Sequence, residues 1–350
     1  MLKKTRKRGS LLRVVLLGAT ALTVAVVVSV GVGSTSIPLS DVVRALLAAC
    51  RILPQDAVDP AVLTVVVSIR LPRVLCGALA GSGLAMAGAV MQGVFRNPLA
   101  DPGLLGVSAG SGFGALVAIT SGVASFFLLP AAAFIGALAA VGAILGVSAL
   151  TKSGRTSPVT LVMSGMAVSA LFGAFTSLVL SVSNEYQVTS YLFWTMGGLA
   201  NRRWEHVLTM LVPVLSCAAA MVLLSGRLDV MLLGDEQARA LGIHSGRNRV
   251  ALVLIASMCT AAIVCVTGPI GFVGLIVPHI MRMLVGPSHR RLCLASAFAG
   301  GVFLTLCDSL VRFVSGMRGK EFSVGIVTAL LGAPYFLFLL ARRGGGEAED

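Results

Sequence analysis

Residues 102–151 read PGLLGVSAGSGFGALVAITSGVASFFLLPAAAFIGALAAVGAILGVSALT, a run of 50 residues with no charged side chain. About 20 apolar residues cross the hydrocarbon core of a bilayer as a helix, so this run holds two such helices. Ser121-Gly122 and Pro130 supply turn signals between them. No soluble domain has a core that would hide such a stretch, and the rest of the chain repeats the pattern. Charge-free windows run over Val14–Ser40, Val74–Phe95, Thr156–Asn184, His206–Gly226, Val250–Met281 and Phe322–Ala341, and Leu292–Val311 carries only Asp308. Gly268-Pro269-Ile270-Gly271 splits Val250–Met281 into one full span and a shorter one. The reading is an all-α integral membrane protein of about ten transmembrane helices, one or two of them short or re-entrant.

Composition agrees. Of 350 residues, 57% are hydrophobic and 12% charged, against roughly 25% charged in soluble domains. The mean hydropathy is +0.95. A net charge of +13 could suggest nucleic acid, but the basic residues sit in short stretches between apolar runs, which excludes a nucleic-acid face. Placing both termini in the cytoplasm puts most of the 27 Lys and Arg on that side, as orientation rules require. The expected organisation is a cytoplasmic tail over 1–10, one transmembrane domain over 11–341 and a cytoplasmic tail over 342–350. The first apolar stretch exceeds the 7–15 residues usual in a signal peptide and is read as a retained helix. Gly77xxxGly81, Gly110xxxGly114 and Gly142xxxGly146 predict close helix packing.

Few residues suggest chemistry. Gly106-Val-Ser-Ala-Gly110 has the form of a nucleophile elbow but opens an apolar helix, where no strand precedes the serine. The only Gly-Lys pair, Gly319-Lys320, is followed by Glu321, so there is no phosphate-binding P-loop. The histidines lack HExxH spacing, and the seven cysteines form no CxxC pair. No catalytic residue, metal site or cofactor is expected in the chain. Asp308 stands alone within an apolar run and has Arg312 four residues on, which favours a local ion pair. A proton-coupled secondary transporter using Asp308 and His279 is the alternative reading.

Four segments remain. Arg96-Asn97-Pro98-Leu99-Ala100-Asp101-Pro102-Gly103 cannot be helical, and Asp101 can cap the next helix. Leu233-Gly234-Asp235-Glu236-Gln237-Ala238-Arg239-Ala240-Leu241-Gly242-Ile243 predicts a short surface helix with acid at its start and glycine at its end. Gly268-Pro269-Ile270-Gly271 leads into Pro278-His279, and Val324-Gly325 leads towards Pro334.

In this order they closely resemble the permease family of ABC importers for iron-siderophores, haem and cobalamin, the FecCD type, from about Arg70 to Leu340. The resemblance implies ten helices per subunit and alternating access. It also implies a second permease copy, a cytoplasmic ATPase dimer that holds ATP and Mg, and a soluble extracytoplasmic binding protein, in a bacterial inner membrane. It makes 233–243 the coupling helix, with Leu233, Gly234, Glu236, Ala238, Leu241 and Gly242 at the ATPase. It places Arg70, Arg73 and Arg312 where glutamates of the binding protein dock. Arg96, Asn97, Pro98, Asp101, Pro102, Gly268, Pro269, Gly271, Pro278 and His279 are its motif loops. Ser323 and Ser288 depart from its usual Pro and Asp. The cargo order expected is iron-siderophore, then haem, then cobalamin.

Overall fold

The computed structural model describes residues 11–33, 36–54, 56, 58–122, 127–150 and 158–344. The expected tail 1–10, most of the expected tail 342–350 and the basic loop 151–157 lie outside the described residues. Among those described, every regular element is helical.

Each charge-free window forms a helix. They are α1 Leu11–Gly31, α4 Leu71–Val94, α5 Val107–Thr120, α6 Leu128–Leu150, α7 Pro158–Ser181, α9 Trp204–Met231, α11 Ser245–Thr267, α12 Val273–Val285, α13 His289–Arg318 and α14 Val324–Gly344. Four shorter helices fill the connections: α2 Leu39–Ala49, α3 Pro60–Leu63, α8 Glu185–Thr195 and α10 Asp235–Ala240. Among the described residues, seven helical segments are long and apolar enough to cross a membrane, and the apolar parts of α5, α12 and α14 are shorter. Chain direction turns where the sequence marks it. Gly122 adopts φ +69° between α5 and α6, whereas Pro130 starts α6 instead of breaking it, since the first helical turn needs no donor.

The sequence did not announce the continuation of α4 backwards. Pro60–Val94 is one helical rod of 35 residues, with a π-helical turn over Thr64–Arg70 immediately before Pro72. Pro72 has no N–H and its ring crowds the carbonyl four residues earlier, so a widened turn keeps the rod continuous.

Nearly the whole of α4 from Val74 is buried among α9, α11, α12 and α13. Glycine sets its spacing. A Cβ on Gly81 would meet the Gly300 carbonyl of α13, and a Cβ on Gly88 would meet the Gly274 carbonyl of α12. On the flank, Gly110 and Gly114 bring α5 against Gly136 and Ala132 of α6. Two of the three expected small-residue motifs thus sit in helix contacts. Among the described residues Gly142 and Gly146 have nothing within 4 Å of a built Cβ.

Candidate functional site

The RNPLADP loop begins where α4 can no longer continue. Arg96 takes a left-handed φ of +51°, and the Asn97 amide returns to the Gln92 carbonyl at 3.1 Å. Asn97 Oδ1 then accepts from the Leu99 amide at 2.9 Å, the local turn that asparagine side chains favour. Pro98 and Pro102 bar helix, and Asp101 Oδ1 caps the next turn by accepting from Gly103 N at 2.8 Å.

Arg96 ties this loop to the surface helix. Its Nη2 donates to the Met231 carbonyl at 2.5 Å and lies 4.0 Å from Asp235 Oδ1. Arg249 reaches the same oxygen at 3.4 Å. α10 therefore starts on a carboxylate held by α11 and faced by the RNPLADP loop. Gly234 enters it at φ +124°. Gly242 leaves it at φ +76°, with Ile243 N bonded to Ala238 O at 2.8 Å and Gly242 N to Arg239 O at 2.9 Å, a glycine-terminated cap. Leu233 and Leu241 are each 62% exposed, and Glu236 is exposed beside them. Ala238 points the other way and is fully buried against its own chain.

Backbone contacts join the remaining motifs. Gln92 Nε2 donates to the Leu275 carbonyl at 3.1 Å, linking the end of α4 to α12. Between α11 and α12 the chain breaks with Gly268 at φ +68° and Phe272 at +69°. Gly198 N caps Thr267 O at 2.7 Å, and Gly325 N bonds to Gly197 O at 3.2 Å. Gly268 packs on the Trp194 carbonyl, Gly197 on the Pro269 carbonyl and Gly325 on the Met196 carbonyl. The Gly197-Gly198 turn thus joins the two later motifs. Its only sequence signal was a glycine pair between apolar helices. Gly271 is exposed and Pro278 is buried within α12, while His279 sets its ring edge-on to Tyr335 of α14 at 6.5 Å.

The three arginines assigned to docking lie in an internal network. Arg70 is buried and donates from Nη1 to the carbonyls of Val30 and Gly31 at 3.1 and 3.0 Å. Arg73 holds Asp308 at 2.9 Å and Glu321 at 2.7 Å. Arg312 holds the other Asp308 oxygen at 3.0 Å and donates to Ser29 O at 2.8 Å and Val32 O at 2.5 Å. The local Asp308–Arg312 pair is present as expected. The correction concerns direction: these side chains turn into the bundle and satisfy carbonyls and carboxylates of their own chain. Desolvation explains this, because a buried guanidinium needs every donor matched.

A further contact, with no signal in the sequence, joins α9 to α13. His289 is fully buried, with Nδ1 2.6 Å from Asp229 Oδ1. The partners are 60 positions apart, and no spacing rule connects them. Asp308 and His279, the pair of the proton-coupled alternative, do not converge. Asp308 is nineteen residues along α13 from its His289 start, roughly 28 Å by helical rise, whereas His279 faces α14. Among the described residues no group of three or more His, Cys, Asp or Glu side chains could hold a metal.

The profile of the FecCD transport family matches residues 21–342. The cobalamin import system permease protein BtuC of Halobacterium salinarum is 44% identical over 279 residues, covering 80% of this chain and 74% of that one. The molybdate import system permease protein MolB of Haemophilus influenzae is 36% identical over 340 residues, 95% of this chain and 97% of its own. A solved inward-facing conformation of a metal-chelate type ABC transporter superposes with a TM-score of 0.82 at 33% identity, over 94% of this chain and 99% of that one.

Proposed function

The chain belongs to the FecCD transport family and is a multi-pass permease subunit of an ABC importer with no ATPase site of its own, and we propose that its cargo is a bulky metal chelate. The likeness to the metal-chelate type transporter across 94% of the chain carries this reading. An ATPase and a substrate-binding protein are the partners of such a subunit. The finer assembly is part of the proposal: a homodimer of this chain in a bacterial inner membrane, with ten spans and both termini cytoplasmic, and with ATP and Mg held by an ATPase dimer. A carrier driven by protons through Asp308 and His279 does not fit the family.

In this orientation the Arg96 end of α4 is cytoplasmic. α10 with its flanks, residues 233–243, is the coupling helix, and the exposed flanking leucines and Glu236 offer the ATPase a contact, while buried Ala238 seats the helix on the permease. Arg73 and Glu321 then lie at the outer mouth. Docking of the binding protein proceeds there by exchange: a glutamate of the partner replaces half-exposed Glu321 on Arg73, with Arg70 and Arg312 holding the frame. Apolar exposed side chains such as Met163 and Met166 on α7 suit a wide passage that grips its cargo weakly. Selection then rests with the binding protein.

Iron-siderophore, haem and cobalamin are the three candidate cargoes. The test is uptake into proteoliposomes holding the permease, its ATPase and its binding protein. A ferric siderophore, haemin, cobalamin and molybdate are each offered with ATP. Saturable ATP-dependent uptake of one chelate establishes the cargo class. Uptake of molybdate alone overturns it.

A further inference from the structure

Asp308, the buried carboxylate of α13, has two basic partners, Arg73 and Arg312. Asp101 has only the Gly103 amide on Oδ1, and among the described residues no basic side chain pairs with it. Its other oxygen, Oδ2, lies on the side of Gly274, where a Cβ would stand 3.4 Å from it and 2.9 Å from the Leu84 carbonyl oxygen. The absence of a side chain at Gly274 keeps this corner open.

The corner is part of a small, partly open cavity of about 80 Å³ between the RNPLADP loop and the α11–α12 break, lined by Asp101, Ser108, Thr260, Ile270, Gly274 and Leu84 among others. Thr260 uses its hydroxyl proton on Ala256 O at 2.9 Å, so its lone pairs remain to accept. The carbonyl end of α11 and the amide end of α12 both border the space, and their opposed half-charges roughly offset. The partly exposed carboxylate therefore faces a space lined by two hydroxyls and backbone groups, with no basic side chain among the described residues to match its charge.

We propose that this cavity binds a small monovalent cation of sodium type, with Asp101 as the charged ligand and Ser108, Thr260 and backbone carbonyls as neutral ones. The side chains that line it with polar groups offer oxygen alone, which selects a hard cation. A single carboxylate matches one positive charge, where a divalent ion draws more. The space admits an ion with one or two waters, since a water takes about 30 Å³, and no organic cargo. The bound ion braces the RNPLADP loop against the broken α11–α12 segment, which the loop already touches where Pro102 and Asp101 face Gly274.

The test is thermal unfolding of the full-length permease in lipid nanodiscs, titrating NaCl against N-methyl-D-glucamine chloride at constant ionic strength. A ligand that binds only the folded state stabilises by mass action, so a saturable rise in Tm of a few degrees is expected with sodium. Asp101→Asn should remove the sodium dependence, and Ser108→Ala should raise the half-saturating concentration several-fold. Equal melting in the two salts overturns the proposal. So does a sodium dependence that survives Asp101→Asn, or stability that rises with acid and ignores sodium, which would show that the carboxylate carries a proton. If Asp101→Asn fails to insert, Ser108→Ala and Thr260→Val decide, and an unchanged half-saturation in both refutes the site.

Discussion

Replacing Asp308 with asparagine removes one negative charge from between two guanidiniums while leaving the volume almost unchanged. Asp308 is 1% exposed, Arg312 8% and Arg73 13%, so water can do little to compensate. Breaking a buried pair by deleting one partner costs about 3–5 kcal/mol. The structure favours the lower end. Arg312 keeps two carbonyls and the Ser309 hydroxyl, and Arg73 keeps Glu321, a half-exposed partner worth about 0.2–1 kcal/mol. The expected loss is therefore about 3 kcal/mol. With an unfolding entropy of roughly 2.1 cal/mol/K per residue over 350 residues, that lowers Tm by about 4 °C. The assay is unfolding of the purified permease, run as a cycle with Arg73→Met and the double variant. The double variant should be less destabilised than the sum of the singles, because Arg73→Met removes a cation that Asp308→Asn strands. A loss below about 1 kcal/mol for Asp308→Asn, or strict additivity, would show that the network is hydrated and contributes little.

The same geometry sets further expectations. Purified permease should release no phosphate from ATP, and hydrolysis should appear only when its ATPase is added. Leu233→Asp with Leu241→Asp should cut ATPase capture and uptake at least tenfold while insertion stays normal, and unchanged capture would remove α10 from the interface. Ala238→Trp should fail differently, by unseating α10, so its limited proteolysis pattern near Gly242 should change even without the ATPase. Glu321→Gln should quicken binding-protein association if docking is an exchange on Arg73, and an unchanged association rate would refute the exchange. Gly88→Ala should destabilise by about 1–3 kcal/mol, because its methyl meets a backbone carbonyl, whereas Gly142→Ala, in open space, should be neutral in a melting assay.

The positions of the long helices were legible because a bilayer imposes one dominant rule, a charge-free run of fixed length, and residues 102–151 obey it plainly. Boundaries held to within a few residues where glycine or proline marked them, as at Gly122 and Gly268. The rod before Pro72 was not legible, since a proline usually signals an end and only a π turn shows that the helix passes through it. Arg96 could be picked out by its motif, but its bond to the Met231 carbonyl could not, because a backbone acceptor leaves no trace in residue identity. The pairing of Arg73 with Asp308 spans 235 positions and was invisible to any local spacing. For the same reason the arginines read as outward groups from their position alone, when depth within the bundle decides where they turn. Ala238 illustrates the limit of pattern: its place in the short helix was clear, its direction was not.

The glycine contacts of α4 also decide which parts of the subunit can move. Where Gly81 meets Gly300 and Gly88 meets Gly274, backbone touches backbone, so there is no rotamer to change and no side chain to repack when the helices slide. α4, α12 and α13 are therefore expected to keep their mutual spacing during transport. Helices that meet this group through side chains, α7 among them, are the expected places for larger movement. Under hydrogen exchange the group should be the last part of the protein to take up deuterium, and the helices around it the first.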